Sequence, residues 1–120
     1  MTNQLTLASV MLVVLLFPAV HAQPVSHVQT EVDALLDFVG KSGCEFYRNG
    51  IWHDSKEAQS HLNDKYAYLT ARNLIKTTED FIDKVATKSA LSGQVYEVKC
   101  NKSPPITSKK WLNDELSHIR

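Results

Sequence analysis

The chain has 120 residues, with 13 basic and 13 acidic side chains and a formal net charge of zero at pH 7. This length fits one domain. The balanced charge argues against a protein that is held to nucleic acid by phosphate contacts or to a membrane surface by a basic patch.

The N-terminal segment is typical of an export signal. Residues 5–20 form an apolar run that is shorter than the roughly 20 residues a membrane-spanning helix requires. Compact Val20 and small Ala22 suit signal peptidase, so we predict a signal peptide at residues 1–22 with cleavage before Gln23. No Lys or Arg precedes the run, and an uncleaved N-terminal anchor is the alternative. A cleaved signal predicts a periplasmic protein that has no further contact with the membrane.

The two cysteines, Cys44 and Cys100, both follow this segment. An even number of cysteines in an oxidising compartment predicts a disulfide bond. A redox-active or metal-binding pair is the alternative, which the absence of a CxxC spacing disfavours.

The first predicted helix begins after Ser26, a candidate N-cap, and ends near Gly40 and Gly43. Apolar residues recur between these points at helical spacing: Val28, Val32, Leu35, Leu36 and Val39. The pair Asn49-Gly50 then separates two short strands, because a type I′ hairpin turn requires a positive φ at both central residues.

Two further helices are predicted after this hairpin. Asp54 or Ser55 caps the second, which extends to about Asn73, and Thr77 or Thr78 caps the third. The apolar face of the second helix consists of Ala58, Leu62, Tyr66 and Leu69.

The C-terminal part contains one predicted turn, one strand and one helix. Residues 89–93 are typical of a turn, and residues 94–100 alternate as a half-buried strand. Pro104-Pro105 interrupts the chain, and Ser108 caps a last helix whose apolar residues are Trp111, Leu112, Leu116 and Ile119.

These elements predict a single α+β domain over residues 23–120. We expect a small three-stranded antiparallel sheet with about four helices on one face, in the order α-β-β-α-α-β-α. One disulfide between Cys44 and Cys100 would bring the first and third strands together.

The residues that could take part in catalysis or metal binding form no strong sequence motif. His53, Asp54 and His61 contain zinc-ligand types, but their spacing argues against a metal site, and we expect no metal and no cofactor. His61 with Ser89 or Ser92 is a candidate base and nucleophile, although no GxSxG or SxxK motif is present, and turn chemistry explains the serines.

A third candidate is an anion clamp formed by Arg48, Lys65 and Tyr66. An Arg side chain matches a carboxylate well, although a structural salt bridge is the more ordinary explanation for such a charge. The chain has more large aromatic side chains than so small a core requires, and some of them are candidates for an exposed binding patch. These residues are Tyr47, Trp52, Tyr66, Tyr68 and Tyr96.

Several linked stretches resemble the YfeK-like family of small exported proteins from Gram-negative bacteria. They are Ser42 to Gly50, Glu57 to Leu62, Lys65-Tyr66, Thr78 to Ile82, Ser89 to Gly93 and Tyr96 to Cys100. The resemblance covers nearly all of the mature chain, including both cysteines. It implies export and a single domain but no activity. The polar part of the shared pattern consists of Arg48, His61, Lys65, Ser89 and Ser92.

The leading hypothesis is therefore a non-enzymatic, monomeric periplasmic module that binds a partner protein or a small ligand. Its predicted binding residues are Arg48, His61, Lys65, Tyr66, Ser89 and Ser92. A small hydrolase that uses His61 with Ser89 or Ser92 is the alternative, and a stable envelope protein without a site is a third possibility.

Overall fold

The structure, a computed structural model, describes residues 8–17 and 26–120. The elements are, in chain order, α1 (His27–Lys41), β1 (Glu45–Arg48), β2 (Ile51–His53), α2 (Ser55–Thr70), α3 (Thr78–Lys84), β3 (Glu97–Lys99), β4 (Ile106–Thr107) and α4 (Ser108–Ile119). Residues 8–17 are exposed and contain neither helix nor strand. The predicted cleavage site after Ala22 lies outside the described residues. In the ranges that are described, no helix is both long and apolar enough to cross a membrane.

The sheet has four antiparallel strands in the order β2-β1-β3-β4, so the prediction of three strands was wrong by one. The additional strand, β4, pairs Thr107 with Glu97 and Ile106 with Val98. It is two residues long, too short to show the alternation by which a strand is identified in a sequence. Its conformation depends on the free edge of β3, which is a tertiary feature.

The helix caps follow the predicted chemistry at three of four helices. Ser26, Asp54 and Thr77 each accept a hydrogen bond from a backbone N–H in the first turn. The cap of α4 is Thr107, one residue before the predicted Ser108, and its hydroxyl accepts a hydrogen bond from the N–H of Lys110. Such side-chain acceptors satisfy donors that the helix leaves unpaired.

The predicted hairpin is confirmed. Asn49 and Gly50 both have positive φ, at 52° and 86°, as a type I′ turn requires. The register pairs Tyr47 with Trp52 on one face of the sheet and Phe46 with His53 on the other. Arg48 therefore lies at the turn end of β1, on the same face as buried Phe46.

The core lies between the sheet and the helices. Phe46 and Val98 point inward from β1 and β3, and Trp111 of α4 packs edge-on against Phe46. The helices contribute the fully buried side chains Val32, Leu35, Val39, Phe81, Ile82 and Leu112.

The predicted disulfide between Cys44 and Cys100 is confirmed, with an S–S distance of 2.04 Å. It lies just beyond the Glu45–Lys99 pair, where β1 and β3 run side by side. The bond therefore joins two segments that are 56 positions apart in sequence.

Candidate functional site

The middle of α2 presents polar side chains beside its core-facing stripe. Leu62 and Tyr66 pack on the core, whereas His61 and Lys65 are four residues apart and share an adjacent, half-buried stripe. The helical period of 3.6 residues brings Tyr68 onto the same side, one turn further. This stripe lies opposite the turn end of β1, from which Arg48 projects.

Arg48, His61 and Tyr96 form a chain of hydrogen bonds. Nη1 of Arg48 lies 2.8 Å from Nδ1 of His61, and Nε2 of His61 lies 3.3 Å from the hydroxyl of Tyr96. A guanidinium can only donate, so Nδ1 of His61 accepts. In a neutral imidazole the proton is then on Nε2, which donates to Tyr96. The chain links β1, α2 and the segment before β3.

The surroundings of His61 favour this neutral form. Partial burial, together with the positive charges of Arg48 and Lys65 and a smaller effect of His53, lowers the pKa of His61 to about 4, against the opposing charge of Asp64. Burial also raises the pKa of the Tyr96 hydroxyl, which is therefore protonated at neutral pH. At pH 7 neither His61 nor Tyr96 neutralises the nearby cations.

Lys65 also lies against Tyr96. Its ammonium group donates a hydrogen bond to the carbonyl oxygen of Lys88 at 2.9 Å and lies 5.3 Å from the centre of the Tyr96 ring. Burial lowers the pKa of Lys65, because a charged group loses hydration there. Its recognised partners are thus a backbone carbonyl and an aromatic face.

These side chains line a cleft of about 220 Å³ between the hairpin, α2 and the loop of residues 88–95. Its polar lining consists of Arg48, Asn49, His61, Lys65, Ser89 and Tyr96, and its apolar lining of Tyr68, Leu69, Ala90 and Leu91. We call it the Arg48–Lys65 cleft. Among the residues that the structure describes, no Asp or Glu lines it. Within residues 8–17 and 26–120, neither Arg48 nor Lys65 forms an ion pair with a carboxylate.

Of the two predicted serines, Ser89 is among the residues that line this cleft, and Ser92 is not. The hydroxyl of buried Ser89 accepts hydrogen bonds from the backbone N–H groups of Leu91 and Ser92, at 3.2 and 3.3 Å. Ser92 donates its own hydroxyl to the side-chain carbonyl of Asn49. These contacts are the turn chemistry that the serines suggest in sequence.

The hydrogen bonds of the imidazole give no support to a nucleophile pair. His61 contacts Arg48 and Tyr96 instead of a serine hydroxyl. A base that activates a serine must lie within hydrogen-bond reach of its proton. The hydrolase alternative therefore stays a prediction without a supporting contact.

Tyr66, like Ser92, is a predicted site residue that the structure places outside the cleft lining. Its ring packs edge-on against Phe81 with the ring centres 5.5 Å apart, so it belongs to the core. Tyr68 and Tyr96 line the cleft in its place. Tyr68 could have been found from its helical spacing to Lys65, but nothing local to Tyr96 indicates its approach to His61.

The zinc-ligand residue types are dispersed. His53 bonds to Glu57 at 2.9 Å, and Asp54 caps α2. In the part of the chain that the structure describes, no group of three or more His, Cys, Asp or Glu side chains is arranged to hold a metal ion.

Tyr47 and Trp52 form a close aromatic pair. The two rings are 5.3 Å apart on the outer face of the sheet, where Trp52 is 36% exposed and Tyr47 is half-buried. The ammonium group of Lys99 lies 4.6 Å from the centre of the Trp52 ring. Neither ring is fully exposed, whereas a protein interface centred on this pair would need a sizeable exposed apolar patch.

The fold and the cleft define a small, disulfide-bonded α+β domain with a cationic, partly apolar cleft. Residues 26–120 match DUF5329, a family of unknown function, and the chain belongs to this family. It is 40% identical over 72 residues to the uncharacterized protein YfeK of Salmonella typhimurium strain LT2, an alignment that covers 59% of this chain and 58% of the relative. The chain thus spans under two thirds of that relative's length. No solved structure matches.

Proposed function

We propose that the protein is a periplasmic binding module that holds a small ligand in the Arg48–Lys65 cleft. The observation that carries this proposal is the presence of two half-buried cations at one cleft, neither paired with a carboxylate of the described residues. Burying a cation without a counter-charge costs free energy. A ligand that brings complementary polar groups would offset that cost, whereas a purely structural role would favour an internal ion pair.

The small-ligand form of the hypothesis is favoured over a protein interface. The cleft combines directed donors with an apolar wall, as small-molecule sites do. The aromatic pair on the outer face of the sheet offers no comparable concentration of features. A partner protein remains an outcome that the experiment below can reveal.

The test is a fragment screen by NMR on the purified, disulfide-bonded protein. The probes are anionic, neutral and cationic fragments of similar size, and the readout is the shift of the His61, Lys65 and Tyr96 resonances. We expect at least one fragment to shift these resonances in a saturable way. Lys65→Met should weaken its binding, and Lys110→Met should not, because Lys110 is an exposed α4 residue that pairs with Asp114.

An absence of any saturable shift at the cleft across the whole screen would reject the binding module. That result would favour a purely structural envelope protein. Saturable shifts confined to Trp52 and its neighbours would instead favour the outer face of the sheet.

The location in the periplasm is part of the same proposal. The Cys44–Cys100 disulfide supports it, since such bonds persist in oxidising compartments and are rare in a reducing cytosol. A periplasmic extract should contain a form whose N-terminal residue is Gln23. Recovery of the uncleaved chain in the membrane fraction alone would favour the N-terminal anchor.

A further inference from the structure

We propose that the ligand of the Arg48–Lys65 cleft is a small amphiphilic carboxylate, with its head between the two cations and its apolar part against Leu69 and Leu91. This inference rests on the proposed function, because it names the chemical class of the ligand for that same site.

The charge of the cleft favours an anionic ligand. His61, which is neutral at pH 7, bonds to Arg48 and to the Tyr96 hydroxyl, and the Lys65 ammonium lies over the Tyr96 ring. The nearby carboxylates lie outside the cleft lining. Glu57 bonds to His53, and both Glu57 and Asp64 line an adjacent open depression that shares Arg48 and His61 with the cleft. The charged side chains that line the cleft, Arg48 and Lys65, are therefore both cations.

The donors suit a singly charged, planar head group. One guanidinium nitrogen of Arg48 is held by His61, which fixes the orientation of the planar group. A carboxylate can accept from the donors that remain. Phosphate sites commonly use the N–H groups of a helix N-terminus or a glycine-rich loop. Here α2 contributes residues from its middle to its C-terminal end, from His61 to Leu69, so the described part of the lining contains neither a helix N-terminus nor a glycine.

The rest of the lining favours a ligand that has an apolar part. Leu69 and Ala90 form part of the wall, and Leu91 beside them is 96% exposed. Tyr68 on the same wall is 56% exposed. Covering such surface is favourable by about 25 cal/mol for each Å² of apolar area removed from water. A ligand with an aliphatic or aromatic part would provide that cover.

The size of the cleft limits the ligand. Its volume of about 220 Å³ is smaller than the range of roughly 300–1,000 Å³ that is typical of drug-sized ligands. It fits a ligand of about the size of one amino acid. Two sources supply that chemistry: a free organic acid, and the C-terminal residue of a peptide.

The experiment compares matched probes by NMR titration of the disulfide-bonded protein. Hexanoate carries both features of the proposed ligand. Hexanamide lacks the charge, hexylamine reverses it, and acetate lacks the apolar body. Inorganic phosphate tests a different anion. We expect hexanoate to shift the His61 and Tyr96 resonances with a Kd at least fivefold lower than that of any other probe in this set.

Three variants examine the named contacts, and a fourth, Lys110→Met, is the control. Lys65→Met and Arg48→Gln should each raise the Kd for hexanoate about tenfold, and Lys110→Met should leave it unchanged. Leu91→Ser should raise the Kd for hexanoate several-fold but not the Kd for acetate. Since Leu91 is almost fully exposed, this substitution should leave the fold intact. A dispersed spectrum of each variant confirms that it is folded.

A second pair of probes separates the two sources. N-acetyl-leucine carries the free carboxylate of a peptide C-terminus, and N-acetyl-leucinamide does not. Tighter binding of N-acetyl-leucine than of hexanoate supports the inference with a peptide terminus as the source, and the reverse order supports it with a free acid as the source.

The outcomes distinguish this inference from the proposed function. Equal or tighter binding of hexanamide, hexylamine or phosphate at the cleft would overturn the carboxylate while leaving a binding module in place. If no probe of this set and no fragment of the broader screen shifts the cleft resonances, both the carboxylate inference and the proposed function are overturned.

Discussion

Arg48 at the end of β1 donates a hydrogen bond over 2.8 Å to Nδ1 of His61 in α2. This contact decides the protonation of the site, because it makes Nδ1 an acceptor and places the imidazole proton on Nε2. The guanidinium is held in turn against the helix that carries Lys65.

The first prediction concerns the protonation state of His61. At pH 7 its ring should be the neutral Nε2–H tautomer, and it should titrate near pH 4, since burial and the neighbouring cations lower its pKa to about 4. The ¹⁵N shifts of the imidazole measure both properties. His118, which is exposed on α4, serves as the internal reference. Titration of His61 near pH 6.5, or a proton on Nδ1, would contradict the described hydrogen bond.

The second prediction concerns the stability of the protein between pH 6.5 and 4. The folded-state pKa of His61 lies below its ordinary value of 6.5, so the unfolded chain binds a proton in this range and the folded chain does not. Stability should therefore fall as the pH decreases from 6.5 to 4. The groups that face His61 are Arg48, Lys65, Asp64, His53 and Tyr96.

The His61→Gln variant should lose this pH dependence. The contribution of His61 should be roughly 1–2 kcal/mol after allowance for solvent screening of a half-exposed group. Urea unfolding at pH 7 and pH 4.5 gives the difference for each protein, and His118→Gln is the control. An unchanged difference in His61→Gln would assign the pH dependence to other groups.

The third prediction concerns the disulfide. The double variant Cys44→Ser/Cys100→Ser should be less stable to urea by up to about 4 kcal/mol, because the bond closes a long loop between residues 56 positions apart. The comparison of wild type and variant is made at pH 7. A loss under about 1 kcal/mol would mean that the chain-entropy argument fails for this loop.

The fourth prediction concerns Glu31, which is buried in α1. Its carboxylate accepts hydrogen bonds from Nε of Arg120 at 2.8 Å and from the hydroxyl of Thr78 at 2.6 Å, and these bonds lower its pKa to about 2. A depressed carboxyl pKa adds stability above its ordinary value of 4.5, and that stability is lost as the pH falls toward 2. Arg120→Ala should therefore lower the urea midpoint more at pH 7 than at pH 2.

The matched control is Lys110→Ala, which removes an exposed ion pair on the same helix. Such pairs contribute little, so its midpoint should stay close to that of the wild type at both pH values. Arg120 also pairs with Glu79, so an equal loss for Arg120→Ala at pH 7 and pH 2 would show that the arginine acts by packing rather than through the charges of Glu31 and Glu79.

The fifth prediction concerns the hairpin turn. Gly50 has a φ of 86°, and an added Cβ would meet no atom within 4 Å, so any cost of Gly50→Ala comes from the backbone. We expect a loss of about 1 kcal/mol in the free energy of unfolding. Gly50→Asn should cost less, because Asn tolerates the left-handed region. Equal stability of Gly50→Ala and the wild type would argue against the positive φ.

Several features of the molecule follow from short-range sequence alone. Ser26, Asp54 and Thr77 could be recognised as caps because each bonds to a backbone N–H only three residues away. The turn at Asn49-Gly50 depends on the φ preferences of two adjacent residues. The disulfide followed from there being one possible pair of cysteines.

The cleft was only partly predictable from the sequence. Arg48, His61, Lys65 and Ser89 were identified as candidates, and all four line it. Tyr66 was included because its spacing on α2 does not show whether a tyrosine packs on the core or lines a site. The phenyl ring of Phe81, 15 positions later, decides that it packs on the core.

The sequence by itself determined the helices, the hairpin, the pair of bonded cysteines and most of the polar residues at the cleft. These depend on interactions that span a few residues or on simple composition. Only the tertiary structure decided that β4 joins the sheet and that Tyr96, 35 positions from His61, accepts its hydrogen bond. Such contacts form only when distant segments pack on a common core, and no local preference of either residue encodes them.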